Sequence, residues 1–298
     1  MDAFLPEKFV RLITEAHGAK GTGWLTELRT IVEEIEKKWC LSVKKAFPNL
    51  SYHFVASCDL ANGGEAVLKI GFPESDSPIF NEAEMLKLYE GRGAVKFLRI
   101  DERRLATLLE KLNPGKHLKL VFPDDPGKAV EIAVEILLKI KRKPPVEHNF
   151  VRLDDWFAGF EKAEKTIFPR YAVKKAQNFY EELSSANKFL LHGDFHHENI
   201  LSATREEFLA IDPKGIVGAI GYEIAVFLNN HLWWLSDEPD LWKNLDAAVR
   251  RFSEAAEIEM RDLRRWAFVQ MVLSAWWTFE ENGENWQNDL ALADIWDV

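Results

Sequence analysis

The densest run of chemistry-bearing side chains is His192-Gly193-Asp194-Phe195-His196-His197-Glu198-Asn199, set between the apolar pairs Leu190-Leu191 and Ile200-Leu201. A second apolar run, Phe208-Leu209-Ala210-Ile211, ends on Asp212. An aspartate, an asparagine five residues later and a second aspartate after a short strand offer one base and two oxygen ligands. Such a set can converge on a metal–nucleotide complex. Phosphoryl transfer asks little covalent chemistry of a protein. It asks for metal ions held against the phosphates and an acid that orients the attacking hydroxyl. A polar surface loop is the plain alternative, and it leaves unexplained why so many charged groups sit between two apolar runs. A zinc reading of His192, His196 and His197 lacks the further ligands and second-shell support that zinc sites need.

The pattern H-x-D-x-x-x-x-N, followed by a strand-terminal Asp, is that of a kinase catalytic loop. His192, Asp194, Asn199 and Asp212 take its positions. Asp194 is then the expected base, and Asn199 and Asp212 the expected Mg²⁺ ligands. His196 stands where protein kinases carry a Lys near the transferred phosphoryl group. A catalytic imidazole donating to the phosphoryl oxygens and a structural histidine both remain open readings, and His197 reads as structural.

His192 to Leu201 resembles the catalytic loop of the aminoglycoside phosphotransferases. Ala210-Ile211-Asp212-Pro213-Lys214-Gly215, with Tyr222-Glu223-Ile224-Ala225 after it, resembles the branch containing streptomycin 6-kinases and hydroxyurea phosphotransferases. The likeness covers most of the chain. It implies an α+β, protein-kinase-like two-lobed fold with ATP and Mg²⁺ as cofactors. The small N-lobe would be a mainly antiparallel sheet with helices, and the larger C-lobe mainly α-helical. The acceptor implied is a small molecule with a hydroxyl, of the streptomycin or hydroxyurea kind, in an antibiotic-resistance type of reaction. One departure is Ala219, where the family often has an acid after Val-Gly. It bears on the acceptor side.

Composition sets outer bounds. The 298 residues suffice for two lobes, and 47% hydrophobic content supplies a sizeable core. A formal net charge of −10 disfavours nucleic acid and anionic membrane as partners and suits a cationic ligand. Two cysteines without a motif fit a reducing, cytoplasmic setting. The charged N-terminus lacks the apolar core of a signal peptide, and the run Ala267 to Trp277 is too short to span a bilayer. Nothing in the composition speaks to the oligomeric state.

Around the catalytic loop, the elements follow from periodicity. Residues 1–50 read as helical, with Thr26 as a cap and Leu28, Ile31, Val32, Ile35 and Trp39 on one face. Strands are expected over 52–57 and 65–70, joined by the turn Asn62-Gly63-Gly64. Lys69, inside Val67-Leu68-Lys69-Ile70, fits the small-lobe lysine that pairs with nucleotide phosphates. Ser77-Pro78 reads as the start of a helix. In that helix Glu82 falls within the apolar stripe Ile79, Met85, Leu86 and Tyr89, while Glu84 lies off it. An isolated carboxylate there is costly, so Glu82 is the expected partner of Lys69. Strands over 95–100 and 105–110 lead to the segment Glu110-Lys111-Leu112-Asn113-Pro114-Gly115. The family resemblance makes this segment the hinge and gives Glu110 and Leu112 to the nucleotide. Residues 1–112 form the expected nucleotide-binding lobe and 113–298 the catalytic and substrate-binding lobe.

In the second lobe a helix is expected over 125–140, a solvated basic loop at 139–145 and two helical stretches between Trp156 and Ala186. Helical sequence resumes near Tyr222 with no long activation segment and no Ala-Pro-Glu, which favours a small acceptor over a peptide. From Trp266 onward there is no Lys or Arg, while Glu280, Glu281, Glu284, Asp289, Asp294 and Asp297 alternate with tryptophans. Acids beside aromatic walls suit a cationic ligand, and Glu223, Trp277, Glu280 and Glu281 are the candidates for it. An acidic surface over a Trp-rich core explains the same residues. The reading as a whole is an ATP-dependent small-molecule O-phosphotransferase. Its rivals are a kinase of another metabolite, sugar or choline-like, and a nucleotide-binding pseudokinase.

Overall fold

The structure is a computed structural model that describes residues 5–74, 78–163, 165–185 and 187–296. It divides into two compact units, Met1–Gly115 and Lys116–Val298.

The first unit runs α1 (Glu7–Trp39), β1 (Leu41–Ala46), β2 (Phe54–Leu60), β3 (Glu65–Ile70), α2 (Pro78–Tyr89), β4 (Phe97–Asp101) and β5 (Ala106–Glu110). The strands form one antiparallel sheet in the order β1-β2-β3-β5-β4. Gly18 breaks α1 at φ 55° and ψ −129°, a conformation only glycine adopts without strain. Residues on either side of the break then meet: the rings of Phe9 and Trp24 lie 6.0 Å apart. The apolar face of α1, including Leu28, Val32, Ile35 and Trp39, shares a core with Phe54, Ala56, Leu68 and Ile70 of the sheet.

Two details differ from the sequence expectation. The helix stops at Trp39, where Cys40 turns left-handed at φ 54°, and Leu41–Ala46 pairs with β2 as a strand. Thr26 caps nothing; its hydroxyl donates 2.9 Å to the carbonyl of Thr22 inside α1. The cap expected at Ser77 lies outside the described residues, as does Asp297.

The second unit runs α3 (Leu118–Val121), α4 (Pro126–Ile140), β6 (Val151–Arg152), α5 (Leu153–Phe157), α6 (Phe160–Ala163), α7 (Arg170–Leu183), β7 (Lys188–Leu191), β8 (Ile200–Ser202), β9 (Phe208–Ala210), β10 (Ile216–Ala219), α8 (Ile220–Leu235), α9 (Leu241–Ala256), α10 (Met260–Asn282) and α11 (Trp286–Ala293). Asp125 caps α4, accepting from the Lys128 amide at 2.9 Å. Between Trp156 and Ala186 there are three helical pieces where two were expected, because the backbone turns between Phe157 and Phe160. Strands are few and short: β6-β10-β7 make one sheet and β8-β9 a hairpin.

Buried residues line α8 on almost every side, from Ile220 through Leu235. Such a helix belongs in the centre of a helical unit. Its few polar side chains must therefore find partners. Asn229 donates to the carbonyl of Ala267 at 2.9 Å and accepts from the Trp296 indole at 2.7 Å. Glu223 and His231 reach the loop that follows β7, as described below.

Candidate active site

In the first unit, Lys69 and Glu82 form a buried ion pair. Lys69 Nζ lies 2.7 Å from Glu82 Oε2, with side chains only 7% and 4% exposed. Lys69 sits on β3 between buried Leu68 and Ile70, and Glu82 sits on α2 among Ile79, Met85 and Leu86. Neither charge is tolerable there alone, and the pairing offsets the desolvation of both. Glu110 ends β5 and accepts from the Lys96 amide at 3.0 Å. Leu112 is buried.

In the second unit, β7 delivers the catalytic loop and three sets of contacts fix its backbone. Glu223 of α8 accepts the amide of His192 at 2.6 Å and that of Gly193 at 2.8 Å, one on each carboxyl oxygen. The carboxyl is fully enclosed, and burial pushes it up to about 8 against the pull of the two amides. Gly193 adopts φ 82°, and a Cβ there would meet Ile216 Cδ1 at 2.4 Å, so only glycine fits. His192, also buried, bonds through Nε2 to the carbonyl of Ile211 at 2.8 Å and accepts the Asp194 amide at Nδ1 at 3.3 Å. Burial pushes its imidazole down to about 4, matching the single proton that this pair of contacts requires.

The hairpin β8-β9 performs the next step. Its register sets Ile200 opposite Ala210, and one residue outward the Ile211 amide donates to the Asn199 carbonyl at 2.9 Å. Asn199 and Asp212 are thereby brought to one end of the hairpin. Asp212 holds φ 64°, a left-handed backbone that an aspartate adopts more readily than most residues. The Asn199 amide nitrogen donates to the carbonyl of Asp194 at 2.9 Å, which leaves its amide oxygen for another partner. Hard oxygen donors of this kind suit Mg²⁺, which is held by one or two carboxylates together with substrate phosphates. Among the described residues no group of three or more His, Cys, Asp or Glu could hold a metal by itself.

Asp194 points into partly open space. Its carboxylate, 35% exposed, lies 3.6 Å from His196 Nε2 on one oxygen and 3.6 Å from Lys214 Nζ on the other. His196 accepts the Glu198 amide at its other ring nitrogen, 3.3 Å away, and burial lowers its pKa. His197 faces inward, 3.0 Å from His231 Nδ1 of α8, and burial lowers it well below the usual histidine range.

On the expected acceptor side the residues separate. Glu223 is no ligand-facing acid: it lies in the core, bound to the loop backbone. Trp277 is 36% exposed and stands edge-on to Trp156, ring centres 5.0 Å apart, with Trp156 in turn 6.0 Å from Tyr222. Glu280 pairs with Lys162 at 3.3 Å on the surface, and Glu281 is exposed. Lys214 and Trp156 were absent from the sequence expectation. Lys214 follows Asp212 by two residues, and that closeness was the available signal.

Comparison with known proteins bears on the family and the fold. The sequence model of the aminoglycoside/hydroxyurea antibiotic resistance kinase family matches residues 38–283. A streptomycin 6-kinase from Streptomyces glaucescens is 25% identical over 93% of this chain and 91% of its own length. A hydroxyurea phosphotransferase from Kitasatospora aureofaciens is 28% identical over 76% of this chain and 68% of its own. Among solved structures, a choline kinase from Streptococcus pneumoniae superposes with TM-score 0.63 at 15% identity, covering 91% of this chain and 98% of its own. The aminoglycoside phosphotransferase APH(4)-Ia gives 0.60 at 16%, over 90% and 96%. The fold is therefore protein-kinase-like, and the chain belongs to the aminoglycoside/hydroxyurea antibiotic resistance kinase family.

Proposed function

We propose that the chain transfers the γ-phosphoryl group of ATP to a hydroxyl of a small cationic molecule of the streptomycin kind. The observation that carries this reading is the Asp194 carboxylate. It is partly exposed on a loop whose backbone is held by Glu223, His192 and Asn199. Asp194 takes the acceptor's proton as the acceptor oxygen bonds to the γ-phosphorus. Asn199 and Asp212 hold Mg²⁺, which when bound supplies charge neutralisation between the phosphates. Lys69, kept in place by Glu82, pairs with the nucleotide phosphates, and Glu110 and Leu112 serve the nucleobase end.

A cation is favoured by the chain's net charge of −10 and by the exposed acids and tryptophan at the end of α10. The two cysteines are free, Cys40 exposed and Cys58 buried. With the need for ATP, this supports the cytoplasm as the place of work. No helix among the described residues is long and apolar enough to cross a membrane.

Acceptor-dependent ADP release across a panel of streptomycin, other aminoglycosides, hydroxyurea and choline tests the reading. Release above the no-acceptor rate with streptomycin is expected. Release with choline alone would move the chain to another acceptor class, and release with none would reduce it to a nucleotide-binding protein.

A further inference from the structure

Among the described residues, the Asp194 carboxylate has one lysine beside it, and that lysine comes from outside the 192–199 loop. Lys214 Nζ stands 3.6 Å from Asp194 Oδ2. The placement is built into the backbone. The Lys214 amide donates to the His192 carbonyl at 2.6 Å, and the Gly215 amide reaches the same oxygen at 3.4 Å. Gly193 lies directly against this segment: a Cβ on it would come within 3.2 Å of Lys214 Cβ. The turn that follows Asp212 is thus laced to the residues just before Asp194, and its lysine is aimed at the carboxylate. The side chain itself is long and 45% exposed. It does not cement the fold, since an ion pair this open contributes little stability. The catalytic loop offers His196 at the position where a kinase carries its own lysine, so the loop brings no fixed positive charge to this point.

We propose that Lys214 is a further catalytic residue, which pairs with Asp194 and, with nucleotide and acceptor bound, moves to the non-bridging oxygens of the phosphoryl group in flight. The inference rests on the phosphotransferase reading above. In the step it serves, the acceptor oxygen–phosphorus bond forms and the bond from γ-phosphorus to the bridging oxygen breaks. The bonding pair leaves on the nucleoside diphosphate, the hydroxyl proton passes to Asp194, and Lys214 gives up no proton. Charge develops on the equatorial oxygens in such a transition state, and a donor aimed there is worth more in the transition state than in the ground state.

The test uses the full chain with Lys214→Met and Lys214→Arg. Two measurements are made. One is steady-state kinetics with MgATP and streptomycin. The other is calorimetric binding of MgADP with and without aluminium fluoride, which imitates the transferring group. Removal of Lys214 should lower kcat and weaken the MgADP–aluminium fluoride complex about a hundredfold. MgADP affinity and KM for ATP should stay within about threefold, because uniform nucleotide binding is untouched. Lys214→Arg should recover most of both losses by keeping the charge. An unchanged aluminium fluoride complex in Lys214→Met overturns the proposal, and so does an equal loss for MgADP alone. If the wild type binds MgADP–aluminium fluoride tightly yet transfers nothing to streptomycin, the acceptor reading fails while the role of Lys214 is still decided by the binding arm. A wild type that forms no such complex overturns both.

Discussion

Two lysine–carboxylate pairs stand among the proposed site residues of this chain, and they are built on opposite plans. Lys69 and Glu82 meet at 2.7 Å with 7% and 4% exposure, each on a regular element and each surrounded by apolar side chains. Asp194 and Lys214 face each other at 3.6 Å with 35% and 45% exposure, both on irregular turns. A pair closed off from water keeps its charges where they are. An open pair held by backbone hydrogen bonds can part when a better partner arrives, at small cost in stability. At Asp194 the backbone is held through Glu223, His192 and Gly193, while the two charged side chains stay partly exposed.

The contrast can be broken at several points. The largest expected effect is at the open cluster: Asp194→Asn should cut kcat by about a hundred- to ten-thousandfold. MgATP affinity measured by calorimetry should be retained. At the same end of the hairpin, Asp212→Asn should weaken MgATP binding at least about tenfold, since a carboxylate is the stronger of the two expected metal ligands. Calorimetry in the presence and absence of Mg²⁺ checks this, and the difference should shrink in the variant.

The closed pair answers in stability. Glu82→Gln removes the carboxylate that pairs with buried Lys69 and should cost up to about 3–5 kcal/mol in denaturant unfolding. The double variant Lys69→Met/Glu82→Leu should recover most of it. Equal costs for the single and double variants would contradict the buried-pair account.

A pH-dependent effect sharpens the role of Glu223. Burial raises its carboxyl to about 8, above its unfolded value near 4.3. A raised acid contributes stability that is full below the unfolded pKa and is lost as pH rises through the folded one. The wild type should therefore lose stability relative to Glu223→Gln as pH rises from about 4.5 to about 8. Paired melting curves across that range decide it, and parallel curves would count against it.

Much of this arrangement was legible in the sequence. Glu82 in an apolar stripe demanded a buried cation, and Lys69 was the cation available on a neighbouring strand. The apolar run Phe208-Leu209-Ala210-Ile211 marked a strand ending on Asp212, while the hairpin that sets Asn199 near it was not read from the sequence. Strand β1 was not legible. Its burial is irregular and a register shift interrupts its pairing with β2, so no period of two survives. Glu223 was misread because an acid near the start of a helix looks the same whether it faces a ligand or distant amides. Its partners, His192 and Gly193, are about 30 residues away in sequence. Lys214 escaped notice for a related reason: it meets Asp194 through backbone bonds to His192 that no periodicity encodes.

The central claim is that the Asp194 loop moves a phosphoryl group onto an acceptor oxygen. Phosphorus NMR of the wild-type reaction with MgATP and streptomycin tests it most directly. A new phosphomonoester resonance that grows as the γ-phosphate signal falls, and is suppressed in Asp194→Asn, is the predicted result. Inorganic phosphate as the sole product, or the same ester formed at an undiminished rate by Asp194→Asn, would contradict it.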